Sequence, residues 1–282
     1  MIYAGIQKFV SFIMSVHLAE VLQIFLCIVS SVPVMRQPLQ ILFLILVTDL
    51  PPSIALGFEP GEALTMKRKP RPKSQPVVQM WMWRGIVANG IILTVCIFGT
   101  YLLALWAYAG AFTTEDITNP GRDTCTIWDK TNWTPTVTFD CKLDARCEAC
   151  IDKSIRRART CAFISLVWAE AFRAYCSRSF ENGVWVQTWS NPSMNKAVAM
   201  AQVTLGLALF IPGLNQDVLG LYVYEIQGFG WFLAFVGAFA CLVFCELYKH
   251  FTSRFVQQEA LAECEEEEAA GNKPAAAVRI DA

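Results

Sequence analysis

The sequence predicts an all-α polytopic membrane protein, a bundle of six transmembrane helices with one cysteine-containing extracytoplasmic loop. Of its 282 residues, 55% are hydrophobic and only 17% are charged, whereas soluble domains carry charge on about a quarter of their residues. The apolar residues fall in long blocks, each close to the ~20 residues that cross a bilayer as a helix. A net charge of −1 and the lack of a basic stripe with interleaved aromatics argue against a nucleic-acid partner.

The six predicted spans cover residues 9–32, 38–57, 80–109, 159–177, 195–213 and 227–248. Pro51 and Pro52 interrupt the second span, and the fourth carries Glu170 and Arg173 within its apolar run. Because an even number of crossings returns the chain to its starting side, we expect both ends on one face of the membrane. Met1 leads almost directly into the first span without signal-peptide features, which suggests a segment cut from a longer chain.

Basic residues assign the connections to sides. The 58–79 connection holds five Lys and Arg residues between positions 67 and 73, which marks it as cytoplasmic. Three arginines at 156–159 lie on the predicted external side, against the rule that basic residues mark cytoplasmic connections. We keep the assignment because long loops follow that rule poorly. The predicted organisation is 1–57, a hairpin of the first two membrane helices; 58–79, a basic cytoplasmic loop; 80–109, the third helix; 110–157, the extracytoplasmic loop; 158–250, the last three helices; and 251–282, an acidic, disordered cytoplasmic tail.

The 110–157 loop carries the disulfide candidates Cys125, Cys141, Cys147 and Cys150, and Asn132 is a glycosylation candidate in the sequence Asn-Trp-Thr. Both features fit an oxidising, non-cytoplasmic face. One or two disulfides are expected, and their connectivity stays open. A zinc site is the alternative, because two of the cysteines have the Cys-x-x-Cys spacing, although the others lack a matching pair.

Ionisable residues inside the spans require a reason, because a charge at the bilayer centre costs about 2.5–3.5 kcal/mol on insertion scales. The first span carries His17, Glu20 and Gln23, which steps of three place on one helix face. The fourth carries Glu170 and Arg173. Structural ion pairs of the acids with Arg173 or His17 are one interpretation, and Gln23 is expected to bond across helices.

The second span carries Thr48 and Asp49 directly before Leu50-Pro51-Pro52. Proline removes a backbone donor and clashes with the preceding turn, so we expect the helix to open near Asp49 and free carbonyl oxygens. An opened backbone is tolerated in a membrane only beside protein or a wet cavity. Freed carbonyls beside a carboxylate make a site for a hard cation.

Three stretches resemble the C-terminal transmembrane region, the fifth to tenth membrane helices, of type II P-type cation-transporting ATPases. Ile-Gln-Lys-Phe at 6–9, followed by Glu20, resembles the fifth helix. A resemblance to the sixth helix lies in two stretches, Leu-Val-Thr-Asp-Leu-Pro-Pro at 46–52 and Ala-Leu-Gly-Phe-Glu-Pro at 55–60. Arg-Ala-Arg-Thr at 157–160, followed by Glu170, resembles the eighth.

The resemblance implies a cation-translocation domain, with 1–57 as its cation-site hairpin. It places Glu20, Thr48, Asp49 and Glu170 among the ligands of the transported cation, with His17 as an additional candidate. His17 and Ile45 stand where calcium pumps have asparagines, so the pattern is closer to sodium- and potassium-exporting pumps, although Na⁺, K⁺ and Ca²⁺ all remain open.

The catalytic half of such a pump is not recognised in this sequence, so no catalytic or cofactor-binding residue is predicted. ATP and Mg²⁺ would act only in the missing phosphorylation, nucleotide-binding and actuator domains. Asp-Lys-Thr at 129–131 begins like the phosphorylated motif but is followed by Asn-Trp instead of Gly-Thr, and it lies in the external loop, which indicates coincidence.

The expected partners are the lipid bilayer, of the plasma membrane or an endomembrane, and the cytoplasmic pump domains; a small regulatory subunit is also conceivable. Two other functions stay open. One is a stand-alone six-helix channel, transporter or pump-accessory protein. The other is a membrane oxidoreductase that uses the cysteine loop. Haem ligation is not expected, because the chain has two histidines, His17 and His250, and no pair of histidines within the spans.

Overall fold

A computed structural model describes residues 2–59, 78, 80–109, 112–113, 124–128, 135–140, 146–178, 183–185, 191–211 and 213–269. Its helices are α1 (Ile2–Val29), α2 (Pro38–Phe43), α3 (Leu50–Gly57), α4 (Met80–Ala109), α5 (Arg146–Cys176), α6 (Pro192–Phe210) and α7 (Gln227–Ala269). A π-helical segment, Leu44–Asp49, joins α2 to α3 without a break. The predicted helical membrane bundle is therefore confirmed.

Four helical stretches in the described part are long and apolar enough to cross a membrane: Gly5–Val29, Pro38–Gly57, Met82–Ala109 and Gln227–Thr252. They coincide with four of the six predicted spans, and they make the chain an integral, multi-pass membrane protein. The other two predicted spans form α5 and α6, but both contain more polar residues. Six crossings therefore remain a prediction.

The polar character of α5 follows from its position in the bundle. Its side chains from Ala158 to Ala169 are almost all buried, including Thr160 and Ser165. Because these groups face protein instead of lipid, the helix does not need a continuous apolar surface. Composition alone therefore underestimates a helix that lies at the centre of the molecule.

The loop predicted at 110–157 contains regular structure. Strands β1 (Thr124–Trp128) and β2 (Pro135–Asp140) form an antiparallel pair with Thr124 opposite Asp140, as expected for short runs rich in β-branched and aromatic residues. The backbone of α5 already begins at Arg146. Cys141, Asn132 and the 129–131 motif lie outside the described residues, as do the side chains of Cys125, Cys147 and Cys150, so the disulfides, the zinc alternative and the glycosylation stay predictions.

The tail also differs from the sequence prediction of disorder from residue 251. Helix α7 continues without interruption to Ala269. Residues 251–269 are rich in Ala, Glu and Gln, which are strong helix formers. They extend a helix that is already nucleated, so the unfavourable first turn does not have to be formed again. The 60–77 part of the basic loop and residues 270–282 lie outside the described residues.

Helix α5 is the centre of the packing, with α4 and α7 against it; α1 packs on α4 and α3, and α6 packs on α3. Small residues allow two of these helix contacts to be close. A Cβ at Gly90 of α4 would press on the Leu18 side chain of α1. A Cβ at Gly237 of α7 would collide with the hydroxyls of Thr100 in α4 and Ser165 in α5.

The connection from α1 to α2 folds back against the bundle. Ser31 takes a positive φ of 52°. The N–H of Val32 donates to the carbonyl of Cys27 at 3.0 Å, and the N–H of Ser31 donates to that of Ile28 at 3.2 Å. This is the Schellman arrangement, in which a left-handed residue ends a helix and satisfies its last carbonyls. It reverses the chain so that residues 32–36 return toward α1.

Candidate cation site

Thr48 and Asp49 lie at the end of the π-helical segment, and both are buried. The N–H of Leu50 donates five residues back to Ile45. Pro51 and Pro52 follow and have no N–H, so they cannot satisfy carbonyls one turn earlier. The opening predicted near Asp49 thus takes the form of a widened helical turn, a feature that frequently occurs at functional sites.

Glu20 of α1 is held by two cationic or potentially cationic partners. Its Oε1 accepts from Nη1 of Arg36 at 3.0 Å, and its Oε2 lies 3.0 Å from Nδ1 of His17. Nη2 of Arg36 also donates to Oε1 of Gln23 at 2.5 Å and to the backbone carbonyl of Glu20 at 3.4 Å. Gln23, expected to bond across helices, instead bonds to the guanidinium from the α1–α2 connection.

Glu170 and Asp49 have few partners. The Thr48 hydroxyl lies 3.0 Å from Oε2 of Glu170 and 2.7 Å from the carbonyl of Leu44. Within the described part of the chain, both carboxylate oxygens of Asp49 and Oε1 of Glu170 are buried without a hydrogen-bond partner. A buried acceptor without a partner costs about 1–3 kcal/mol, and more when charged. These three oxygens therefore offer places for a positively charged group.

The predicted site residues converge. One ligand atom from each of His17, Glu20 and Asp49 lies within 4.8 Å of the other two. Two oxygens that bind one Ca²⁺ at 2.3–2.6 Å are at most about 5 Å apart, so this spacing fits a single cation. Asp49 also interacts electrostatically with Glu170, and Thr48 contacts Glu170 directly.

Two residues that the sequence placed beside the site, Ile45 and Arg173, do not contribute to it. Ile45 has an apolar side chain that is 40% exposed at the surface of the protein. Arg173, which the sequence offered as a partner for the carboxylates, instead donates from Nη2 to the Ser15 hydroxyl. The alternative pairing with His17 is present, but only for Glu20.

Arg36 is the site residue that sequence reasoning missed. It is the one charged residue between Glu20 and Asp49, which was the available signal. Its side chain is 1% exposed. Burial lowers the pKa of its guanidinium, and the adjacent Glu20 opposes that change; an arginine nevertheless stays protonated in proteins.

A second polar cluster joins three helix ends away from the site. Nη2 of Arg178 donates to Oε1 of Glu59 at 2.8 Å, and Nδ2 of Asn191 donates to Oε2 of Glu59 at 2.6 Å. Oδ1 of Asn191 accepts from the N–H groups of Ser193 and Met194, which caps α6. The cluster links the end of α3, the end of α5 and the start of α6.

Comparison with known proteins gives a match to a family described as the C-terminus of cation-transporting ATPases, over residues 33–251. This range covers most of the chain, including the π-helical segment, α5 and Arg36. It begins after α1 ends and therefore does not include Glu20.

Three relatives match the chain in sequence. It is 35% identical over 119 residues, 42% of its length, to a P-type sodium-transporting ATPase4 of Plasmodium falciparum (isolate 3D7). It is 28% identical over 92% of its length to a calcium-transporting ATPase of Plasmodium falciparum (isolate K1 / Thailand). It is 25% identical over 88% of its length to an endoplasmic reticulum-type calcium-transporting ATPase 4 of Arabidopsis thaliana. The matches span 9%, 21% and 24% of these relatives.

Proposed function

Because this chain belongs to the family of cation-transporting ATPase C-termini, we propose that it forms the membrane part through which a P-type pump moves its cation. In the complete pump, ATP and Mg²⁺ act in phosphorylation, nucleotide-binding and actuator domains that are additional to the residues of this chain. The bilayer and those cytoplasmic domains are then its partners, with a small regulatory subunit as a further one.

The observation that carries the proposal is the set of unpartnered carboxylate oxygens on Asp49 and Glu170. A cation that enters between the π-helical segment and α5 gives these oxygens the positive partner that they lack among the residues the structure describes. The Thr48 hydroxyl supplies a neutral oxygen between them. Glu20 and His17 close the site from α1, at the distances given above.

Movement of α1 relative to the π-helical segment would change the affinity of this site. Asp49 and Glu20 lie on separate helical elements, so a tilt of α1 changes the distance between their carboxylates. A cation held by both is bound tightly in one arrangement and released in the other. Phosphorylation elsewhere in the pump would drive the tilt.

The transported cation is, in this proposal, Na⁺ or K⁺ in preference to Ca²⁺. Calcium requires six to eight oxygen ligands, and Ile45 offers none. The sodium-transporting relative has the highest identity of the three, although over a shorter stretch; the calcium-transporting ones match over most of the chain.

The topology belongs to the same proposal. Helices α5 and α6 complete six crossings, so that both ends of the chain and the 58–79 connection are cytoplasmic and the 110–157 loop is external. The polar residues of α5 then lie at membrane depth, where the neighbouring helices shield them from lipid.

The test is cation-dependent stability of the chain in lipid nanodiscs. Its melting temperature is measured in choline chloride and at rising NaCl, KCl or CaCl₂. A ligand that binds only the folded protein stabilises it by about 2.7 kcal/mol at 100 times its dissociation constant, so one metal cation should raise the melting temperature. Asp49→Asn should abolish that rise.

The matched control is Asp217→Asn, which changes an exposed acid in the Leu214–Val218 turn and should keep the wild-type response. A wild-type chain that no metal cation stabilises, or an Asp49→Asn chain stabilised as much as wild type, would contradict the proposed function.

A further inference from the structure

We propose that Arg36 acts as a tethered cation, whose guanidinium fills the cation position at Oε1 of Glu20 and leaves the other carboxylate oxygen of Glu20, together with Asp49, Glu170 and Thr48, to hold the transported ion. The inference rests on the proposed function, because it divides the site between a permanent charge and an exchangeable one. It predicts that the site takes up one positive charge fewer than its three carboxylates would otherwise accept.

The contacts of Arg36 are those of a bound cation. Nη1 of the guanidinium contacts a carboxylate oxygen of Glu20, and Nη2 contacts the backbone carbonyl of the same residue and the amide oxygen of Gln23. Carboxylate, carbonyl and amide oxygens are the ligands that hard metal cations take in proteins. The oxygen set on this face of α1 is therefore already occupied by a group of the chain itself.

The connection that carries Arg36 is built to hold it there. The Tyr101 hydroxyl of α4 donates to the carbonyl of Pro33 at 2.7 Å, and Nε of Arg159 in α5 donates to that of Val34 at 2.7 Å. Met35, between these anchors and Arg36, is fully buried. The Schellman turn at Ser31 has already reversed the chain toward α1.

This fold-back brings the guanidinium deep along α1. An α-helix rises about 1.5 Å per residue, so Glu20 lies roughly 13 Å along α1 from its end at Val29. A residue in a connection between two spans would ordinarily lie near the membrane surface. Arg36 instead ends beside a carboxylate well within the length of the helix, where it replaces water or a metal ion as the partner of Glu20.

The other two carboxylates of the site, those of Asp49 and Glu170, are available to an added cation. In the described part of the chain, Glu20 has two partners, whereas both oxygens of Asp49 and one of Glu170 have none. Arg36 interacts electrostatically with both Asp49 and Glu170, so its charge also lowers the attraction that they exert on an incoming ion. Removal of that charge should therefore open a second cation position and strengthen the first.

The experiment compares four chains in lipid nanodiscs: wild type, Arg36→Gln, Arg36→Lys and the double variant Glu20→Gln/Arg36→Gln. Melting temperatures are measured in choline chloride and in NaCl, KCl and CaCl₂ at matched ionic strength. Arg36→Gln should melt below wild type in choline chloride, because Glu20 has lost its permanently charged partner and keeps only His17. A metal cation should raise its melting temperature by more than it raises that of wild type.

The other variants separate a cation position from simple loss of packing. Arg36→Lys keeps the charge and should respond to cations as wild type does. The double variant removes the charge on both sides and should lose the additional response. Three outcomes would overturn the inference. Cations could raise the melting temperature of Arg36→Gln no more than that of wild type, the additional rise could survive in the double variant, or Arg36→Gln could stay unfolded in every cation.

The two proposals fail separately. The wild-type response and its loss in Asp49→Asn decide the proposed function. The additional response of Arg36→Gln and its dependence on Glu20 decide the role of Arg36.

Discussion

Thr48 is the residue through which the π-helical segment and α5 touch in the candidate site. Its hydroxyl lies between the Leu44 carbonyl and Oε2 of Glu170. Oε1 of Glu170 lacks a partner among the described residues, so the single Thr48 hydroxyl proton, shared between Oε2 of Glu170 and the Leu44 carbonyl, is what orients this carboxylate. A neutral side chain therefore controls the position of a charged one.

Thr48→Val should lower the free energy of unfolding by about 1–3 kcal/mol, since it leaves a second oxygen of Glu170 without a partner. It should also raise the cation concentration that gives half-maximal stabilisation in nanodiscs. Thr204→Val is the matched control, because Thr204 makes the same bond to its own helix, to Met200 at 2.9 Å, but is only half-buried and lies on α6, outside the candidate site. Its effect should stay within about 0.5 kcal/mol; equal effects of the two substitutions would remove Thr48 from the site.

Sequence reasoning at this scale found the acids but missed the arginine. Glu20, Asp49 and Glu170 attract notice because charged residues are rare within apolar spans. Arg36 lies in a connection, where a charged residue is ordinary. Its burial depends on the reversal at Ser31 and on bonds from Tyr101 and Arg159, which join residues far apart in the chain and leave no local pattern.

Among the elements, α7 shows how small residues fix the spacing of the bundle. Gly237 faces hydroxyl groups of both α4 and α5, so its missing side chain allows α7 to approach two helices at once. The hydrophobic effect contributes little between helices in lipid, and close packing takes its place. The close approach of α7 to α5 at this position therefore requires glycine.

Gly237→Ala should destabilise the chain by about 1–3 kcal/mol, as is usual for overpacking, because the new methyl group collides with Thr100 and Ser165. Gly99→Ala in α4 is the control: a Cβ there meets no atom within 4 Å, and alanine favours a helix by up to about 1 kcal/mol over glycine. Melting temperatures in nanodiscs should fall for the first and stay level or rise for the second. A Gly237→Ala chain as stable as Gly99→Ala would mean that the helices can separate without loss.

Hydropathy predicted four of the helical spans, because α1, the α2–α3 unit, α4 and α7 each expose an apolar surface to lipid. It identified α5 and α6 less clearly. Helix α5 is enclosed by its neighbours, so its side chains are selected for contacts with protein instead of contacts with lipid. The prolines after Asp49 predicted an interrupted helix, but whether the chain would unwind or widen into a π turn depends on packing against α5.

At the scale of the whole molecule, the six-span topology assigns each connection to one side of the membrane. The described part does not include Asn132, which is in the one Asn-x-Ser/Thr sequence of the chain whose middle residue is not proline, as the acceptor sequence requires. If the 110–157 loop is external, this residue is accessible to the glycosylation machinery and the 58–79 connection is not.

Translation into microsomal membranes should therefore give a product whose mobility increases after glycosidase treatment. Asn132→Gln and Thr134→Val should both remove that difference, since each destroys the acceptor sequence. A protease added outside the vesicles should cut the 58–79 connection while the 110–157 loop stays protected. Glycan at Asn132 together with a protected 58–79 connection would contradict the six-span topology.

The length of α7 has a consequence for the acidic residues at 265–268. Its 43 residues extend about 65 Å, whereas the hydrocarbon core is about 30 Å thick. The part of α7 beyond Thr252 thus forms a rod of roughly 25 Å, with four glutamates toward its tip. Electrostatic interactions at physiological salt are screened over about 8 Å. A helix of this length therefore places the four glutamates about three screening lengths beyond the end of the apolar span, remote from the intramembrane carboxylates.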